Sequence, residues 1–179
     1  MAHVDHGKTS LSDSLIASNG VINPKLAGTL RYLDSREDEQ QRMITMKASS
    51  IALLYHDQHQ IRGAPGKPTY EERAYLVNLM DSPGHVDFSS EVSSALRLSD
   101  GAIVLVDVVE GVSAQTHTVL RQAFEERVKT CLVLNKLDKL IIEGHMDALE
   151  IYQRLNQIVE QVNSIVAELI SKEYFNKSA

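Results

Sequence analysis

The stretch Ala2-His3-Val4-Asp5-His6-Gly7-Lys8-Thr9 constrains the fold more than any other part of the chain. It has the spacing of a phosphate-binding loop, with alanine where the usual pattern has its first glycine. Such a loop works where a buried parallel strand turns into a helix, so that successive backbone N–H groups and the helix N-terminus surround phosphates. The helix is legible: from Lys8 to about Asn19, Leu11, Leu15 and Ile16 fall on one face, and Gly20 supplies a stop. No strand is legible ahead of Ala2.

Further along, β-rich runs at "SSIALLYH", "AYLVNLMD", "GAIVLVD" and "TCLVLNK" alternate with helical stretches from about Val86 to Leu98 and from about Ala114 to Arg127. The third and fourth runs are almost continuously apolar, as strands covered on both faces by helices tend to be. The alternation predicts an α/β fold with a mostly parallel sheet and helices on both faces. The tail from Asp147 to about Ser171 repeats apolar residues at steps of two to four, among them Ile151, Leu155, Ile158, Val162, Ile165 and Leu169, and predicts an amphipathic helix packed on the sheet. Two segments read as irregular. Residues of about 56–74 carry Gly63, Pro65, Gly66 and Pro68 and read as a surface insertion; the polar segment of about 21–47 reads as a ligand-sensing switch loop. His56 and His59 lack a further nearby ligand and do not make a metal site.

At 179 residues and 43% hydrophobic, the chain has the size of one globular domain. Its net charge of −6 argues against bulk electrostatic binding to nucleic acid or anionic lipid, and so against direct DNA binding. The apolar runs are too short to span a bilayer, so no membrane is expected. The single cysteine, Cys131, cannot form an intramolecular disulfide. It reads as a small buried hydrophobe, and the chain as cytoplasmic.

The chemistry gathers at strand ends, where open parallel sheets bind ligands. After "LVNLM" comes Asp81-Ser82-Pro83-Gly84-His85, and after "CLVL" comes Asn135-Lys136-Leu137-Asp138. Lys8 can reach β- and γ-phosphates, the Thr9 hydroxyl can ligate Mg²⁺, and Asp81 can hold a metal-bound water. Gly84 lets its backbone N–H approach the γ-phosphate with no Cβ in the way. Asp138 offers two carboxylate oxygens to the two neighbouring N–H donors of guanine, which adenine does not present. The Asp81–Gly84 and Asn135–Asp138 motifs are weak evidence alone and the phosphate loop stronger; the three in order, the last two at the ends of apolar strands, point to GTP and GDP.

These residues carry a family resemblance. "AHVDHGKTSL", "RMITMK", "DSPGHVDFSSEVSSALRLSDGAIVLVD", "EGVSAQTHTVLRQA" and "LNKLDK" resemble the GTP-binding domain of translational GTPases, in the elongation factor 2 branch. The segment "SNGVINPKLAGTLRYLDSREDEQ" is more similar to the elongation-factor-like GTPases that mature the large ribosomal subunit. The resemblance implies a P-loop NTPase G domain over residues 1–179, with the nucleotide held by Asp5, His6, Gly7, Lys8, Thr9, Ser10, Asp81, Gly84, Asn135, Lys136 and Asp138. It implies Mg²⁺ held by Thr9, Thr45 and, through water, Asp81, a monovalent cation near Asp5, and His85 positioning the attacking water. The partners it implies are the large ribosomal subunit, a Shwachman–Bodian–Diamond-type protein and an anti-association initiation factor that GTP hydrolysis evicts. Elongation factor 2 driving translocation, and a non-catalytic nucleotide-binding or ribosome-binding module, are the alternatives.

The sequence also departs from the family. Met43 stands where the family has a glycine, a residue that tolerates φ > 0. The family's strand before the phosphate loop and its last strand are not visible, so the chain reads as a domain fragment and, on its own, as a poor GTPase.

Overall fold

The structure is a computed structural model and describes residues 1–61 and 69–178. The chain divides into two units. The first comprises Met1–Lys8, Asp34–Ala48 and Ser82–Ala179, and the second Thr9–Leu33 and Ser49–Asp81.

In the second unit, helix α1 (Lys8–Ser18) leads by way of a short 3-10 turn (Pro24–Leu26) to loop residues 27–33, and strands β1 (Ser49–Ile61) and β2 (Thr69–Asp81) form an antiparallel ladder. A connection this short cannot return a strand in parallel, which takes a crossover of a dozen residues or more. The ladder reaches further into the expected 56–74 insertion than the sequence implied: His56–Ile61 and Thr69–Ala74 are paired, and only residues 62–68 lie outside the described set. Ile16, Ala17, Ile22, Leu33 and Leu53 form the core of this unit. The fully buried Asp13 carboxylate accepts backbone N–H groups of Gly28 (3.1 Å), Arg31 (2.9 Å) and Tyr32 (2.9 Å), which fixes the loop to α1. The Asn19 side chain brackets Leu54, donating to its carbonyl and accepting its N–H, and so occupies the outer edge of β1.

In the first unit, β3 (Gly101–Asp107) and β4 (Lys129–Asn135) pair in parallel, joined through α4 (Ala114–Glu125). Ser113 caps α4 and exchanges hydrogen bonds with Thr116. The ladder is backed by α3 (Ser89–Arg97) and by the 31-residue α6 (Ala148–Ser178), with the short α5 (Leu137–Ile142) following β4. Asp147 and Glu150 close a capping box at the start of α6. Val104 of β3 packs with Val119, Leu120, Val162 and Ile165, and Val106 with Val108, Leu140 and Ile158. Leu105, which points the other way along the strand, is buried as well. Met1 lies in a strand position beside β3: its amino group donates to the Ile103 carbonyl at 2.7 Å, and its carbonyl accepts the Leu105 N–H at 2.9 Å. The phosphate loop therefore does start from the flank of a β-strand. One expectation fails here, because Cys131 is exposed. Lys129, Thr130 and Cys131 at the start of β4 have no cover, so an apolar run did not guarantee burial on both faces.

The 21–47 segment is more regular than its polarity suggests. Helix α2 (Glu37–Arg42) sits inside it. Glu39, 1% exposed, accepts the N–H groups of Met46 (2.8 Å) and Lys47 (2.9 Å) with one oxygen and that of Arg36 (3.2 Å) with the other. Met43 caps α2 in the left-handed conformation (φ 57°, ψ 30°) with 62% of its surface exposed. A side chain in that region costs about 1 kcal/mol that glycine does not. Met43→Gly is accordingly expected to raise the melting temperature by about 2–4 °C, read by calorimetry; an unchanged or lower value would mean that the Met43 side chain contributes packing the structure does not show.

Candidate functional site

In the first unit, the loop Ala2–Lys8 closes on itself. The Lys8 ammonium donates to the carbonyls of Ala2 (3.3 Å) and His3 (2.8 Å). Asn135, at the end of β4, donates its side-chain N–H to the His6 carbonyl at 2.9 Å. Gly7 has φ 93°, and a Cβ there would run into that Asn135 amide. The loop thus needs glycine for both its backbone and its neighbour. His6 is fully buried, with Nε2 3.0 Å from a Glu110 carboxylate oxygen. Its Nδ1 is 3.3 Å from both the Leu105 carbonyl and the Asp107 N–H. When Nδ1 accepts from Asp107, Nε2 carries the proton toward Glu110. Asp5 is exposed and, like Lys136, has a positive φ (60° and 61°), a strained conformation that collects at functional loops.

Residues Ser82–His85 lie against this loop. A Cβ on Gly84 would strike the Lys8 ammonium and come within 2.9 Å of its Cε and 3.1 Å of the Ala2 carbonyl. A side chain there would require the Lys8 side chain to move and the Ala2 carbonyl to give way. Ser82 Oγ and His3 Nδ1 are buried with no hydrogen-bond partner among the described residues. Buried polar atoms of this kind are costly without a partner and fit a site made for a polar ligand. His85 is tied locally: the Asp87 N–H donates to its Nδ1 at 3.3 Å, and its ring stands 6.2 Å from that of Phe88.

At the end of β4, the Lys136 ammonium pairs with the buried Asp107 carboxylate at 2.7 Å, and Asp107 also accepts the Val109 N–H at 2.8 Å. Burial pushes the Asp107 pKa up, but the Lys136 and Val109 bonds and the lysine charge outweigh it, and the carboxyl titrates below its ordinary value. The stability it confers is complete above the unfolded value of about 3.9 and is lost as pH falls through the depressed folded value. Asp138 stands exposed in the first turn of α5.

Thr9 (buried), Ser10 (exposed) and Asp81 (buried, opposite Ser49 at the end of β2) belong to the second unit. Thr45, in the first unit, is buried and donates its hydroxyl to Asp34 at 2.9 Å. Sequence reasoning missed Glu110 and Asp107, the partners of His6 and Lys136. For Asp107 a signal existed: an acidic residue closing an apolar strand, as Asp81 does.

A lysine curled over a backbone loop, a glycine resting on that lysine, and an Asn-Lys-Leu-Asp turn fastened to the same loop define a guanine-nucleotide-binding domain. Residues 1–178 match the elongation factor Tu GTP binding domain, and the chain belongs to that family. It is 56% identical over 173 residues to the protein named Ribosome assembly protein 1 of Saccharomyces cerevisiae, covering 97% of this chain and 15% of that protein. Against Elongation factor-like GTPase 1 of Homo sapiens the identity is 53% over 179 residues, 100% of this chain and 15% of the relative. The chain thus spans about a seventh of the length of these relatives. A crystal structure of a Thermus thermophilus protein superposes with a TM-score of 0.66 over 88% of this chain and 21% of that one, at 24% identity, and shares the fold.

Within this family reading, Gly7→Ala places a side chain at φ 93° and against Asn135. It is expected to weaken GDP binding at least about tenfold, measured by titration with a fluorescent GDP analogue. Undiminished affinity would show that the loop adjusts.

Proposed function

We propose that the protein carrying this chain binds GTP and Mg²⁺, hydrolyses GTP on the large ribosomal subunit, and uses the loss of the γ-phosphate to evict an anti-association initiation factor during subunit maturation in the cytoplasm. A Shwachman–Bodian–Diamond-type protein acts with it. The observation that carries this reading is the 56% identity to a relative named for ribosome assembly. The contact between Gly84 and Lys8 supports the nucleotide-sensing part.

In this reading the backbone N–H groups of the Asp5–Ser10 stretch, His6 and Gly7 among them, and the Lys8 ammonium hold the phosphates. The loop at Gly84 registers the γ-phosphate, and Asn135, Lys136 and Asp138 hold the base. His85 places a water in line with the γ-phosphate, which is most of what phosphoryl transfer asks of a protein besides neutralising charge. Residues 21–47 act as the switch that hydrolysis releases.

In this reading Thr9 and Thr45 offer hydroxyl oxygens to Mg²⁺ and Asp81 offers a carboxylate through a water, the hard oxygen donors such a cation takes beside waters and phosphate oxygens. Among the described residues no three His, Cys, Asp or Glu are grouped to hold a metal by themselves. Bound there, Mg²⁺ supplies neutralisation of the phosphate charge. In this reading the exposed Asp5 helps to hold a monovalent cation near the phosphates. Among the described residues no helix is long and apolar enough to cross a membrane.

The test uses large subunits loaded with a labelled anti-association factor. Release is expected to require GTP and the partner protein, and to stall with a non-hydrolysable analogue. Release at full rate with that analogue would contradict a hydrolysis-driven step, and GTP-dependent translocation on whole ribosomes would favour the elongation factor 2 reading.

A further inference from the structure

Arg154, on α6, reaches the turn that follows β3. Its Nε donates to the Val108 carbonyl at 3.0 Å and one terminal nitrogen to the Val109 carbonyl at 2.8 Å, while the other donates to Gln157 at 3.2 Å. The same terminal nitrogen that binds Val109 would lie 2.9 Å from a Cβ on Gly111, which has φ 81°, so the guanidinium is seated directly on the turn. From inside, Asp107 holds this turn as well: its carbonyl accepts the Gly111 N–H at 2.7 Å and its carboxylate the Val109 N–H at 2.8 Å. The residue left between these anchors is Glu110, and its carboxylate holds the fully buried ring of His6 in the phosphate loop at 3.0 Å.

We propose that Arg154 is a positioning residue for the nucleotide: by gripping two successive carbonyls it fixes the turn from which Glu110 orients His6, and through His6 the phosphate loop. The inference rests on the guanine-nucleotide reading of that loop. The residue type matters, because a planar guanidinium presents several donors in a fixed fork, whereas a lysine ammonium is a compact point charge on a flexible stem and fixes no such plane. Since the chain of contacts ends on the phosphate loop and not on Gly84 or His85, GDP and GTP are affected alike.

The experiment is a double-mutant cycle on the full chain, read as affinity for fluorescent GDP and GTP analogues. Arg154→Met, which keeps the aliphatic stem, and Glu110→Ala are each expected to weaken both nucleotides about tenfold. The double variant is expected to bind within about twofold of Glu110→Ala alone, because the arginine acts through the glutamate. A merely structural role for Arg154 predicts losses that multiply, and multiplying losses overturn the proposal, as does an Arg154→Met chain that binds like the parent. If circular dichroism shows Arg154→Met to be unfolded, Arg154→Lys replaces it in the same cycle, with the same two outcomes. A parent chain that binds no guanine nucleotide contradicts the proposed function instead, which separates that failure from this one.

Discussion

Asp138→Asn is expected to weaken GTP binding about a hundredfold or more and to turn the preference toward xanthosine nucleotides. Guanine presents N–H donors at N1 and N2, and a carboxylate accepts both. Asparagine replaces one acceptor oxygen with an NH₂ group, so a donor meets a donor, and a site built to pair a polar group rejects a ligand that leaves it unpaired. Xanthine carries a carbonyl where guanine carries its amino group, and the new NH₂ finds an acceptor. The exposed position of Asp138 in the first turn of α5 gives the substitution little to disturb in the fold. Competition of xanthosine and guanosine triphosphates against one fluorescent analogue checks it. An unaltered GTP preference would remove Asp138 from base recognition.

The second large effect concerns chemistry and leaves binding alone. His85→Ala is expected to keep GTP and GDP affinity within about twofold while lowering ribosome-stimulated hydrolysis by about a hundred- to a ten-thousandfold, the range over which a positioned catalytic side chain acts. The His85 side chain is 42% exposed and its contacts are with Asp87 and Phe88 nearby, so truncation leaves no buried cavity. Single-turnover hydrolysis with and without ribosomes separates the two quantities. Stimulated turnover equal to that of the parent would exclude His85 from placing the water.

The class of fold and the motif loops were legible because each rests on local pattern. Apolar strands ended in the loops that carry Gly84, Asn135 and Lys136, and the spacing from Ala2 to Thr9 marked the loop around Gly7. Met43 was legible in the same way: a side chain where φ > 0 is wanted, and the chain adopts φ 57° there all the same. What stayed hidden depends on partners distant in sequence. Asp13 and Glu39 carry no burial signal in the sequence, yet both are buried, because backbone N–H groups of neighbouring loops converge on them. The far half of the β1–β2 ladder was hidden because its residues are polar on both faces, so that pairing of the backbone left no period-two signal. With six residues, α5 is too short to show a helical period. Cys131 misled for the converse reason: its neighbours are apolar, but the start of β4 is uncovered.

The most direct test of guanine-nucleotide binding is a titration of the 179-residue chain with a fluorescent GTP analogue and Mg²⁺, competed in turn by GTP, GDP and ATP. Saturable binding displaced by GTP and GDP, and not by ATP, is the predicted result. Absence of binding by a folded chain, or displacement by ATP as readily as by GTP, would contradict it.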